Sequence, residues 1–105
     1  MDKEEESGKR EKHAHFISLI SDPDPSTRWK AIEALARDGN EASVDPIITA
    51  LGDEDWRVRQ KAAWALGYMG FERALPPLRR AIRGEREGVK EMIVEAIEEI
   101  IRKNQ

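Results

Sequence analysis

Residues 53–82 read DEDWRVRQKAAWALGYMGFERALPPLRRAI, and this stretch decides the fold. It holds one helical pattern, a turn at Gly70, and a second helical pattern. The residues before it are a copy. A shift of 31 positions lays Asp22 on Asp53, Asp24 on Asp55, Arg28 on Arg59 and Lys30 on Lys61. The same shift aligns Ala31 with Ala62, Ala34 with Ala65, Leu35 with Leu66 and Gly39 with Gly70, then Glu41 with Glu72, Pro46 with Pro77 and Ala50 with Ala81. Self-similarity at one period of this size marks a protein built of stacked helical repeats. A further shift puts Lys90 on Arg59, Ala96 on Ala65 and Ile97 on Leu66, so residues 88–103 form a degenerate third copy. Its lead-in, residues 84–88, has lost both repeat aspartates.

Working outward from that core, residues 1–9 (MDKEEESGK) contain no apolar side chain after the initiator. Such a segment buries too little to offset its ordering entropy and is expected to be disordered. From about residue 10, His13, Phe16, Ile17, Leu19 and Ile20 define a helical face that stops at Ser21. The run DPDPS (22–26) then ends one helix and starts another, because each Pro biases its predecessor away from helix and Asp or Ser can cap free N–H groups. Further helices are predicted over 26–37, 41–51, 56–69, 72–83 and 88–103. Gly39 and Gly70 suit left-handed caps, and Pro46 and Pro76–Pro77 fall in first turns. No stretch alternates apolar and polar residues as a strand would. The chain is predicted to be all-α, with one domain over 10–105.

The motif Asp53-Glu-Asp55-Trp-Arg-Val58-Arg59-Gln-Lys-Ala62-Ala-Trp-Ala65-Leu66-Gly67 resembles that of the HEAT-like repeat family, in particular the short phycobilisome-lyase type. The copy beginning at Asp22 departs from it where Thr27 replaces Val and Ala36 replaces Gly. The resemblance implies a short α-solenoid of three helix pairs, at about 10–38, 41–69 and 72–103. The first helix of each pair would be convex and the second concave. It also implies that the repeated charges form a structural ladder of Asp22, Asp24, Arg28, Asp53, Asp55, Arg59 and Lys90. The aspartates are placed to cap helices, and each cation to bridge neighbouring turns. The ladder is expected to end at Lys90, since residues 84–88 offer no equivalent Asp.

Composition excludes several functions. There are no cysteines, hence no disulfide and no thiolate metal site. No apolar run approaches the roughly 18 residues of a membrane span, and the acidic N-terminus is unlike a secretory signal, so a cytoplasmic location is expected. A net charge of −3 opposes general affinity for nucleic acid. Glu, Lys and Arg far outnumber Asn and Gln, a bias of heat-stable proteins. His13 and His15 are two apart, on different sides of a helix, whereas a helical metal pair needs a spacing of three or four. No His-Glu dipeptide, phosphate loop, nucleophile elbow or Cys nucleophile occurs. No catalytic residue, metal or cofactor is predicted, and the chain is expected not to be an enzyme.

What remains is surface. The polar positions of the inner helices are Trp29, Glu33 and Arg37, then Gln60, Trp64 and Tyr68, then Glu91, Glu95 and Glu99. Steps of four keep each trio on one face. Exposed tryptophans in a groove are anchors for a partner; the other reading tucks Trp29 and Trp64 into gaps between helices. Trp56 is expected to pin its turn against the core. The expected function is a protein- or peptide-binding scaffold that uses the concave face. The alternatives are a lyase-like accessory protein gripping a prosthetic group and a nucleic-acid-binding module. Val94 and Ile101 lie beside the packed stripe of the last helix, at positions that could face a following repeat, and with Ile97 they form a candidate association edge, with a symmetric homodimer as the expected product. The other reading tilts that helix to bury them within the chain.

Overall fold

Asp-Pro and Asp-Trp lead-ins dictate where the inner helices begin. In the computed structural model, which describes residues 3–105, Asp24 and Asp55 adopt extended backbone angles and accept the N–H groups of Ser26 and Arg57 at 3.0 and 2.9 Å. These caps start α2 (Pro25–Asp38) and α4 (Trp56–Met69). Both helices end alike. Gly39 (φ 77°) and Gly70 (φ 79°) turn left-handed and return their N–H groups to Leu35 and Leu66, a conformation that costs a side-chain-bearing residue energy.

The outer helices α3 (Val44–Ala50) and α5 (Leu75–Ala81) each open with a 3₁₀ turn, Glu41–Ser43 and Glu72–Ala74. Pro46, Pro76 and Pro77 lie in the first helical turns, where a missing N–H breaks no bond. The first helix, α1 (Lys3–Leu19), is longer than expected. Residues 3–9, read as disordered, continue it as helix, because they hold no proline and only Gly8 opposes their Glu and Lys. Residues 1 and 2 lie outside the described residues. The last helix, α6 (Glu87–Lys103), starts one residue before its predicted position.

Apolar stripes set the packing. α1 packs on α2, α3 on α4 and α5 on α6, while α2, α4 and α6 stack on one another in sequence. The helices α2, α4 and α6 thus form an inner layer of their own, with α1, α3 and α5 packed along its other side and meeting one another only marginally. The result is a slab 45 × 37 × 16 Å, two helices thick. Ile32, Leu35, Ile47, Val58, Leu66, Leu78, Ile93 and Ile100 are fully buried in one continuous core.

One crossing is unusually close. A Cβ added at Gly67 would lie 2.8 Å from the Cα of Ala96, so α4 and α6 touch through their backbones. The end of α6 secures this contact: Lys103 Nζ donates to the carbonyls of Gly67 and Tyr68, and Asn104 Nδ2 donates to Gly70 at 2.9 Å. Carbonyls left open by the end of α4 are thereby satisfied. Among the described residues no helix is long and apolar enough to cross a membrane.

Candidate functional site

Two sets of repeated polar residues have to be told apart. The first runs through the interior. Arg28 Nε and Nη2 donate to the two carboxylate oxygens of Asp53, each at 2.9 Å, and Nη1 donates to the carbonyls of Asp22 and Pro23 at 2.8 and 3.0 Å. One guanidinium thus joins its own lead-in turn to the next repeat. Arg59 does the same one repeat on, donating to the carbonyls of Asp53 and Glu54 and, at 2.8 and 2.9 Å, to the carboxylate of Glu85.

Glu85 is the residue the sequence reading missed. It sits one position beyond the place of the lost aspartate, and its longer side chain makes up the displacement. The last rung is therefore Arg59–Glu85. Lys90 takes the following ladder position with no ion pair of its own among the described residues. The Arg59 hydrogen bonds hold the Glu85 carboxyl below its ordinary value, against the opposing effect of burial. Asp55, the cap of α4, is held down at about 2 by hydrogen bonds from the Arg57 side chain and backbone, again against burial.

The second set lies on the solvent-facing side of the inner helices. Trp64 and Tyr68, one turn apart on α4, stack with ring centroids 5.2 Å apart and planes at 29°. Arg37, at the end of α2, places its guanidinium carbon 5.5 Å from the Trp64 ring and 6.0 Å from the Tyr68 ring. Lys61 Nζ lies 4.9 Å from the Trp64 ring and 5.5 Å from Trp29, so it bridges tryptophans of neighbouring repeats. Lys103 Nζ stands 5.4 Å from Tyr68. Glu33 ties the cations together, 3.1 Å from Arg37 and 3.9 Å from Lys61. Aromatic rings and cations thus alternate across all three inner helices. Beside them a cleft of about 260 Å³ opens between α4 and α6, bounded by Trp64, Tyr68, Met92, Glu95, Glu99 and Lys103.

Residues 14–98 match the family model for HEAT repeats. The chain belongs to the HEAT-repeat family. No curated protein matches it. The match covers most of the chain and speaks for HEAT repeats in general, without singling out the phycobilisome-lyase type. A HEAT-repeat chain of this kind is a repeat scaffold, and its chemistry has to be read from its own surface.

On this HEAT scaffold the predicted concave residues are only partly brought together. Trp29, Glu33, Arg37, Trp64 and Tyr68 form one cluster, and Glu95 faces it across the cleft. Both tryptophans are half-buried and Tyr68 is exposed. Gln60 lines a small hollow beside Lys61, Trp64 and Met92 and donates weakly to the carbonyl of Gly88 at 3.4 Å. Glu91 is turned toward the open end of α6, where it shares a shallow groove with Val94. Lys61, Met92 and Lys103 were not predicted. Lys61 was legible as a repeated position (Lys30, Lys61), whereas Lys103 comes within reach only because α6 runs on past Gly70.

Trp56 does not pin a turn in the core; it is exposed, with the Arg86 guanidinium 4.9 Å from its ring. On the candidate association edge Val94 and Ile101 are 44% and 43% exposed, so α6 does not tilt to cover them, and Ile97 is half-buried. Among the described residues no group of three His, Asp or Glu side chains could hold a metal ion.

Proposed function

We propose that this HEAT-repeat chain is a non-enzymatic scaffold that holds a protein or peptide segment against its concave face. The observation that carries the reading is the stacked Trp64–Tyr68 pair beside the α4–α6 cleft, fixed by Arg37 and Lys61 before any partner arrives. Large aromatics held rigid lose little entropy on binding and make effective anchors. The cations over the rings already occupy them, so the cleft offers its apolar wall of Met92 and Trp64 to a partner's side chain. Glu95 at the rim favours a basic residue flanking that side chain.

The test is selection of peptides from a random library on the intact chain, followed by titration against variants. Selected peptides are expected to lose at least about tenfold in affinity on Trp64→Ala with the fold intact. Peptides that ignore Trp64 and Tyr68 would refute the reading. A prosthetic-group accessory role predicts visible absorbance in the protein purified from its host. Nucleic-acid binding predicts a mobility shift at physiological salt. It is disfavoured because Arg73, Arg79, Arg80 and Arg83 lie on the outer helix pair's side, where Arg73 is spent on the Glu41 carbonyl.

The exposed Val94 and Ile101 support a separate reading in which two copies pair through α6. Sedimentation of wild type against Val94→Glu/Ile101→Glu tests it. Pairing requires a wild-type dimer that the variant abolishes, and a wild type monomeric through the micromolar range rules it out.

A further inference from the structure

The two ends of this short solenoid are built differently. On each inner helix three positions face the following repeat. In α2 they are Arg28, Ile32 and Ala36, all buried under α4. Shifted by 31, they become Arg59, Ala63 and Gly67 in α4, with Ala63 fully buried under α6. In α6 they become Lys90, Val94 and Glu98. Glu98 replaces the residue whose lack of a side chain lets α4 lie against the backbone of α6, where even a Cβ would approach to 2.8 Å. Nothing can close on α6 as α6 closes on α4. The C-terminal end lacks the small residue through which α4 and α6 approach so closely.

At the N-terminal end every receiving feature is present. Asp22 Oδ1 accepts the Asp24 N–H at 2.9 Å, as Asp53 Oδ1 accepts the Asp55 N–H at 2.8 Å. Asp53 then takes the two-pronged Arg28, whereas no cation of the described residues pairs with Asp22. Ala65 and Ala96, which receive the preceding helix, are 0% and 3% exposed. Their counterpart Ala34 is only half-buried and borders a hollow of about 300 Å³ lined also by Phe16 and Leu35. His13 lines the same hollow, with a buried Nδ1 that has no partner.

We propose that this N-terminal end face receives the terminal helix pair of another HEAT-repeat chain, one that offers an arginine to Asp22 and a glycine or alanine across Ala34. The charge of Asp22 and the continuity with the α2–α4 and α4–α6 interfaces select that partner. A second copy of this chain does not fit, because it would present Lys90 and Glu98.

The proposal is tested in the full chain by Lys90→Arg/Glu98→Ala, which recreates on α6 the Arg28 and Ala36 of α2. Two faces that now match are heterologous and do not close on themselves, so this variant is expected to grow into head-to-tail chains. Its sedimentation-average mass should climb with concentration, while the wild type shows no such growth. Adding Asp22→Asn should weaken the growth by at least about tenfold. A double variant that is folded by circular dichroism yet does not grow at hundreds of micromolar overturns the proposal. So does growth indifferent to Asp22→Asn. Should the double variant fail to fold, the wild-type chain lengthened by a copy of residues 41–71 placed before Arg10 decides the matter. One cooperative melt with a raised midpoint supports a receptive end face, and an unraised midpoint or two separate melts contradicts it.

Discussion

The ladder beneath the repeats and the aromatic row on the solvent-facing side of the inner helices are both repeated patterns of charge, yet they differ in what is left to bind. Arg28 and Arg59 each make four hydrogen bonds within the chain, to a carboxylate of the next repeat and to carbonyls of their own turn. Their side chains are largely withdrawn from water, with 9% and 21% exposure. Arg37 and Lys61 instead rest on rings that remain half open to solvent, beside an empty cleft. A saturated, buried cation is structural. One that holds an aromatic surface in place while leaving its edge free is suited to recognition.

The largest expected effect breaks the ladder. Arg28→Ala should lower stability by about 3 kcal/mol, because it strands Asp53 and two carbonyls at a nearly dry site. Chemical denaturation of wild type and variant measures this directly. Arg59→Ala should cost less, about 2 kcal/mol, since its site is wetter. Equal losses would mean that the two rungs are not graded by burial.

Next comes the row. Trp64→Ala should weaken a selected peptide by about 2 kcal/mol, read by calorimetric titration, with a far smaller change in melting midpoint than Arg28→Ala produces. Gly67→Ala lies where ladder and row meet. Its new methyl would press on Ala96, force α4 and α6 apart and cost about 1–2 kcal/mol of stability. The same movement should also disturb the cleft, so this variant is expected to lose binding and stability together.

The smallest effect sharpens the account of Glu85. Its carboxyl is held below the ordinary 4.5 in the folded chain by Arg59. A group depressed on folding contributes fully above the unfolded value and loses that contribution as pH falls through the folded value. Wild type should therefore lose stability on acidification below pH 4.5 more steeply than Glu85→Gln does. Parallel pH profiles would show that the Arg59 contact contributes nothing net.

Most of the fold was legible because the repeat carries its own punctuation. Asp24, Asp55, Gly39 and Gly70 each stand where a helix must begin or end, and local backbone chemistry alone fixes them. Residues 3–9 were misread because a charged composition signals poor burial, while helix propensity in α1 needs none. The rung at Glu85 escaped because a period of 31 points to Gly84, and one added residue with a longer side chain restores the geometry without restoring the pattern. The concave trios were visible as steps of four, but spacing cannot say which neighbours touch. Glu91 satisfies the same rule as Trp64 and Glu95, and tertiary placement leaves it outside the cluster. Lys103 is beyond any such rule, for it reaches Tyr68 only through the docking of α6 on α4.

On the proposed function, ladder and row are separable, one serving the fold and the other the partner. The most direct measurement takes one library-selected peptide and records its affinity and the chain's unfolding free energy for wild type, Arg59→Ala and Trp64→Ala, under conditions where all three remain folded. Arg59→Ala is expected to lose stability and keep its affinity, whereas Trp64→Ala is expected to lose affinity by at least about tenfold and keep most of its stability. Loss of affinity in Arg59→Ala at unchanged stability, or full affinity in Trp64→Ala, would contradict this separation.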